Sequence, residues 1–256
     1  METDQGEGED ESMTGTMTRS IYDDDEPVTW QPANTAGNRV LELSTHCKYP
    51  ALPDDVARDG FTVMVHVRAP ALSAAEARHA LLDVVTVLDV SEIMSGAKLA
   101  QVKSIVRFLI DSLGPHDRLS VVAFSGDTRR VTRLTCMTED GKATAKCAVE
   151  ALKASGGSTN VRAGLDEAAK VLESSQHRND IVGVIFISDG RGYTTSDSCV
   201  LLPEFLLRDN GWRSTPVHTF RLSSDVDAAD MHNITEVTGG TFSFVEDHAV
   251  VQDTLA

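Results

Sequence analysis

No apolar stretch in the 256-residue chain runs long enough to span a bilayer, because Arg, Asp or Glu interrupts every candidate. The amino terminus, Met1-Glu-Thr-Asp-Gln-Gly-Glu, is acidic and lacks the charged-then-apolar layout of a secretory signal. The expected location is therefore cytosolic or nuclear. Basic charge is scarce: 23 Lys and Arg stand against 39 Asp and Glu, for a net charge of −16. That balance disfavours nucleic acid and anionic lipid as partners. The four cysteines, Cys47, Cys136, Cys147 and Cys199, form no Cys-x-x-Cys, which excludes a zinc ribbon, a RING or a redox pair within these residues. They are expected to be free and mostly buried thiols. The histidines are dispersed, with no His-Glu-x-x-His.

What is present begins with acid. Residues 1–26 hold ten acidic side chains against Arg19 alone. Residues 1–36 are polar and poor in β-branched and aromatic residues, so a disordered acidic tail is expected there. The run Tyr22-Asp-Asp-Asp-Glu26 reads as solvated, with docking on a basic surface as the alternative. Arg129, Arg130 and Arg133 form a small basic spot that reads as a solvated edge. Over 37–79 two β-like runs, 39–45 and 61–67, flank a Pro/Asp-rich turn, with Phe61, Val63, Val65 and Val67 expected on one face. An isolated two-stranded ribbon is marginal in water, so these strands need partners.

From residue 80 to 256 the pattern is regular. Strands are expected at 84–88, 119–124, 130–135, 181–188, 216–222 and 241–245. Helices are expected at 97–113, 139–153, 161–172 and 228–238, with Asn160 capping the third and a further short helix starting near His248. The alternation predicts an α/β fold, Rossmann-like, with a mainly parallel central sheet and helices on both faces. The final helix has room for about two turns, too short to cover a sheet face well, which predicts low stability or pairing with another chain through exposed edges.

Chemistry concentrates where strands end. Asp89-Val-Ser-Glu-Ile-Met-Ser95 follows the first buried strand, and Asp189-Gly190 follows Val184-Ile-Phe-Ile-Ser188. Between them lies the Gly-rich loop Ser155-Gly-Gly-Ser-Thr159-Asn160. Ligands bind at the carboxyl edge of open α/β sheets. Two carboxylates with hydroxyls make an oxygen-only set of the kind Mg²⁺ or Mn²⁺ prefers. The loop lacks the Lys of a P-loop and the glycine spacing of a dinucleotide fingerprint. A metal-assisted hydrolase built on Asp89 and Asp189 is a distant alternative, since no nucleophile with a positioned His or Lys is evident.

These residues resemble the von Willebrand factor type A domain and its metal-ion-dependent adhesion site. That family's first loop reads Asp-x-Ser-x-Ser, with a Thr from the second loop and an Asp from the third. The resemblance implies Asp89, Ser91, Thr159 and Asp189 as Mg²⁺ or Mn²⁺ ligands, with Ser95, Ser158 and Asn160 as neighbours. It covers about residues 82–250 and departs at two positions, where Glu92 and Ile93 replace Gly and Ser. Isoleucine has no oxygen to donate and its branched side chain would crowd a cation, so the site is expected to be weakened or lost. More narrowly, Asp23-Asp-Asp-Glu-Pro27, Gly114-Pro-His-Asp-Arg-Leu-Ser-Val-Val-Ala-Phe-Ser125 and Gly239-Gly-Thr-Phe-Ser-Phe244 resemble plant RING-type zinc-finger proteins that act as E3 ubiquitin ligases. The RING that group carries is not in these residues, so ligase activity does not follow.

The expected role is a non-enzymatic protein–protein interaction module that binds through the carboxyl-edge loops, an acidic side chain of the partner completing the metal site if that site survives, with metal-independent binding as the runner-up. The alternative is a truncated regulator or competitor of a RING-type E3 ligase of the same family, pairing with related A-domain chains.

Overall fold

The continuous β-branched run centred on Val84–Val87 forms the middle of the molecule's main sheet, as its lack of polar alternation requires. The computed structural model describes residues 24–25, 27, 41–49, 60–69, 80–157, 159–190, 202–207, 215–222 and 229–245. Most of the expected acidic tail, Ser158, Cys199 and the helix expected near His248 lie outside the described residues. Chain contacts give two units, Met1–Val28 with Leu81–Ala256, and Thr29–Ala80.

The smaller unit contains strands β1 (Glu42–Cys47) and β2 (Val63–Arg68), paired antiparallel with Glu42 opposite Arg68. Both lie slightly later in the chain than the sequence suggests. Leu43, Val63, Val65 and Val67 are all exposed, because a two-stranded ribbon has no second layer of its own to bury them.

The larger unit runs β3 (Leu82–Asp89), α1 (Ala97–Ser112), β4 (Arg118–Phe124), β5 (Thr128–Arg130), β6 (Thr135–Cys136), α2 (Glu139–Glu150), α3 (Val161–Ser174), β7 (Ile181–Ser188), β8 (Val217–Arg221), α4 (Ala229–Thr238) and β9 (Phe242–Phe244). The sheet order is β5-β4-β3-β7-β8-β9, with β6 also on β4. The β3–β4, β3–β7, β7–β8 and β8–β9 pairs are parallel, and β5 and β6 run antiparallel to β4. Successive side chains of β3 point to opposite faces. Val84 and Leu88 join Val102, Val106 and Ile110 of α1 and Val149 of α2 in one buried cluster. Val85 and Val87 join Leu165 and Leu172 of α3 and Ile234 of α4 in another. The expected α/β architecture, with helices on both faces of a mainly parallel sheet, is the one observed. No described helix is long and apolar enough to cross a membrane.

Two expectations need correction. The strand expected at 130–135 is broken into β5 and β6. Val131 N and Thr132 N both donate to Val121 O, at 2.7 and 3.2 Å, so two residues oppose one, as in a β-bulge. Thr132 Oγ1 then accepts from Val121 N at 2.9 Å and stands in for a backbone carbonyl. The thiols are also more open than expected. Cys47 and Cys147 are exposed, on the ribbon and on the outer face of α2, and Cys136 is half-buried. Burial, followed by the charge of Asp25, pushes the Cys136 thiol above its ordinary value.

The chain passes from β3 outward to β4 on one side and returns through β7 to β8 and β9 on the other. The β3–β7 boundary is therefore the switch point of the sheet, where the carboxyl ends of both strands open on one crevice.

Candidate functional site

Asp89 ends β3 and is fully buried. Its Oδ1 accepts from Ser91 N at 2.9 Å, which folds the chain sharply off the strand. Its Oδ2 accepts from Ser188 Oγ at 2.7 Å, and Ser188 Oγ accepts from Gly190 N at 3.2 Å. The first and third loops are thus tied together through one carboxylate. A single 3₁₀ turn, Glu92–Met94, follows Ser91 and is anchored by the buried Met94.

The Gly-rich loop is fixed from two sides. Ser155 N donates to Val90 O at 2.8 Å, and Ser91 and Ser155 form an isolated parallel bridge. Ser125, at the end of β4, contacts Ser155 Oγ through its own Oγ at 3.0 Å and accepts from Asn160 N at 2.9 Å through its carbonyl. Gly157 has φ +132, and a Cβ there would stand 3.2 Å from Gly126 N, so this backbone-on-backbone contact requires glycine. Asn160 caps α3 as expected, its side chain accepting from Ala163 N at 3.0 Å.

Asp189 is fully buried just past β7. Its Oδ2 accepts from Lys98 Nζ at 2.7 Å. Lys98 lies in the first turn of α1, and its side chain stays 30% exposed. Sequence reasoning missed Lys98, Ser125 and Ser188. Only Ser188 had a readable signal, being the strand residue beside Asp189.

The structure bonds Ser91 to Asp89 and places Asp189 within electrostatic reach of Asp89. Thr159 stays half-buried on the neighbouring loop, and among the described residues its side chain makes no hydrogen bond to the other three. Ser95 is exposed, its backbone N–H bonded to Glu92 O. Ile93 is 43% exposed on the 3₁₀ turn that follows Ser91. Glu92 Oε2 lies 3.8 Å from where a Cβ on Gly156 would stand, over the Gly-rich loop.

Burial is the main influence on Asp89. It raises the carboxyl above its ordinary value of 3.8, against the lowering effect of the Ser91 and Ser188 hydrogen bonds, and the Asp189 charge raises it further. A raised folded-state value means that the contribution of Asp89 to stability is complete below its unfolded value of 3.8 and is lost as pH climbs through the folded value. Asp89→Asn should therefore raise the melting temperature at neutral pH, with the gain closing as pH falls toward about 4. Melting curves of both proteins across that range check this; an Asn variant less stable than the native chain at neutral pH refutes it.

Residues 84–191 match the family profile of the von Willebrand factor type A domain. The chain contains a von Willebrand factor type A domain. It is 40% identical over 116 residues to E3 ubiquitin-protein ligase WAV3 of Arabidopsis thaliana, covering 45% of this chain and 16% of that protein. It is 32% identical over 184 residues to Probable E3 ubiquitin-protein ligase WAVH2 of the same plant, covering 66% and 25%. The chain thus spans a quarter or less of the length of these relatives. Among solved structures, the von Willebrand factor type A protein from Catenulispora acidiphila superposes with a TM-score of 0.57 at 20% identity, covering 75% of this chain and 42% of that one. Proximal thread matrix protein 1 from the mussel byssus, in a structure described as having a zinc-occupied MIDAS motif, gives a TM-score of 0.50 at 16% identity, covering 69% and 45%. Both share the fold.

The A domain's residues here match a small hard cation in kind but not as a complete set. Asp89, Ser91 and Asp189 offer oxygen donors, and among the described residues Ser91 Oγ is buried with no well-formed hydrogen bond, as a ligand-directed hydroxyl would be. Against this, the position of the second Ser holds Ile93, Asp189 already carries the Lys98 ammonium, and one Asp89 oxygen carries the Ser188 hydroxyl. No cluster of three or more His, Cys, Asp or Glu able to hold a metal occurs among the described residues.

Proposed function

We propose that this A domain is a non-enzymatic protein-recognition module that works through its carboxyl-edge loops without a divalent cation. The observation that carries the reading is the Lys98–Asp189 pair at 2.7 Å. A metal in such a site neutralises buried carboxylates and leaves positive charge for a partner's acidic group. Lys98 supplies both functions from within the chain: its ammonium neutralises Asp189, and its partial exposure keeps donors available to an incoming carboxylate. Ile93 and Glu92, exposed on the adjacent turn, add an apolar and a charged contact that set which acidic partner is accepted.

The test is calorimetric titration of Mg²⁺ and Mn²⁺ into the native chain, Ile93→Ser, and Ile93→Ser with Lys98→Ala. The native chain should show no binding heat. The double variant should bind, and Asp89→Ala placed on it should abolish the binding. Millimolar or tighter Mg²⁺ binding by the native chain overturns metal independence.

A second reading is favoured by the names of the relatives. As the chain shares sequence with two Arabidopsis proteins named as E3 ligases, one of them as probable, the chain serves as a regulator or competitor of such a ligase, taking the same partners or pairing with its A domain. Co-purification with a full-length ligase of that kind, lost on Lys98→Glu, is the expected result.

A further inference from the structure

Far from the carboxyl edge, at the start of β4, the chain has bound a piece of itself. Asp24 and Asp25, inside the stretch expected to be a disordered tail, lie against the segment 133–136. Asp24 Oδ1 accepts from Leu134 N at 2.8 Å, and Asp25 N donates to Leu134 O at 2.9 Å. Asp25 Oδ2 accepts from Cys136 N at 2.9 Å. The two residues thus take up alternate backbone groups along the segment in the manner of an added strand, with carboxylates replacing carbonyls.

Three arginines frame the groove. Arg130 Nη1 stands 3.5 Å from Asp24 Oδ2, and its side chain is only 3% exposed. Arg133 Nη1 is 3.1 Å from Asp25 Oδ1. Arg118, fully buried, donates through Nη1 to the carbonyl of Asp25. The basic spot that reads as a solvated edge and the acidic run that reads as a solvated tail are two halves of one contact. Solvation loses here because backbone donors and guanidinium groups are presented together, so both carboxylates regain in the groove what they leave in water.

We propose that this groove is a binding site for acidic Asp–Asp peptide segments, filled in this chain by its own residues 24–25 and open to the same sequence supplied in trans. Its donors read two successive carboxylates at fixed spacing, a demand that neither a single acid nor an Asn–Asn pair meets. Occupation from within is exchangeable by construction. Among the described residues two make the contact, Asp25 is 29% and Arg133 45% exposed, and the covalent path back to β3 runs through the 29–80 unit. The groove runs along the β5–β6 edge, from Arg130 opposite Val122 to Cys136 opposite Arg118 at the start of β4, and uses none of the side chains of the carboxyl-edge site.

The experiment uses the full-length chain and a fluorescent peptide of residues 21–28. Fluorescence anisotropy should show weak binding to the native protein, whose groove is filled. Binding should be at least about tenfold tighter to D24A/D25A and lost again when Arg130→Ala is added. The same peptide with Asn at both positions should not bind. A folded D24A/D25A protein that holds the Asp peptide no better than the Asn peptide overturns the proposal. Hydrogen exchange of the native chain decides the matter independently should that variant not fold. The Leu134 and Cys136 amides should exchange by local opening, well ahead of the β3 and β7 amides. Exchange of all four groups together, only on global unfolding, makes the segment a fixed part of the fold and also overturns the proposal.

Discussion

Arg118→Ala should lower the unfolding free energy by about 3–5 kcal/mol, the usual result of removing one partner from a buried ion pair. Arg118 and Asp83 face each other across β4 and β3, both fully buried. Nε donates to Asp83 Oδ1 and Nη2 to Oδ2, each at 2.7 Å, in a two-pronged pair. Nη2 also donates to His177 O at 2.9 Å, and Asp83 Oδ2 accepts from Asn179 N at 2.8 Å. One guanidinium therefore joins the start of two strands to the loop after α3 and to Asp25. Its loss leaves a buried carboxylate and orphaned carbonyls, and the penalty for each unpaired group exceeds the strength of the bond it made. An apolar pair at both positions restores only part of the loss, because the His177, Asn179 and Asp25 backbone groups remain without partners. Urea unfolding of the full chain measures this; a loss under about 1 kcal/mol would show the network to be redundant.

Phe186→Ala should be comparably severe, at about 3–5 kcal/mol. For a domain of this size that corresponds to a fall in melting temperature of roughly 6–20 °C. Phe186 sits in β7 and stacks on Phe124 of β4 with centroids 5.3 Å apart and planes at 25°. Both rings are fully buried against α3, where Gly164 makes room for them: a Cβ there would lie 3.1 Å from the Phe124 ring. A cavity at this point cannot collapse easily, since the sheet on one side and the close helix contact on the other are both rigid. Phe186 lies two residues before Ser188 and Phe124 one before Ser125, so the variant should also loosen the carboxyl-edge loops. Calorimetry gives the stability loss, and an unchanged melting temperature would refute the packing argument.

Most of the sheet was readable because its strands carry their burial in their own composition. Val84–Val87 and the run ending at Ser188 are apolar on both faces, which only a covered parallel strand tolerates. The Asn160 cap was readable because it is local, its side chain accepting from an amide three residues on. The break between β5 and β6 was not, as it depends on the Thr132 hydroxyl meeting Val121, eleven residues back. Lys98 was invisible for the same reason on a larger scale: it meets Asp189 across 91 residues, and nothing in Ala97–Leu99 marks one lysine among the polar positions of a helix. Composition misled at Asp24 and Asp25. An acidic, apolar-poor run has no core to enter, but it needs none where arginines and free backbone groups await it.

The Asp24–Leu134 contact spans 110 residues. Since synthesis runs from the amino end, Asp24 and Asp25 leave the ribosome long before the segment that receives them, with the whole β1–β2 ribbon made in between. Closure over so long a stretch is entropically slow and comes late. A nascent chain therefore passes through a period in which the acidic pair is made and loose while Arg130 and Arg133 have not yet been made.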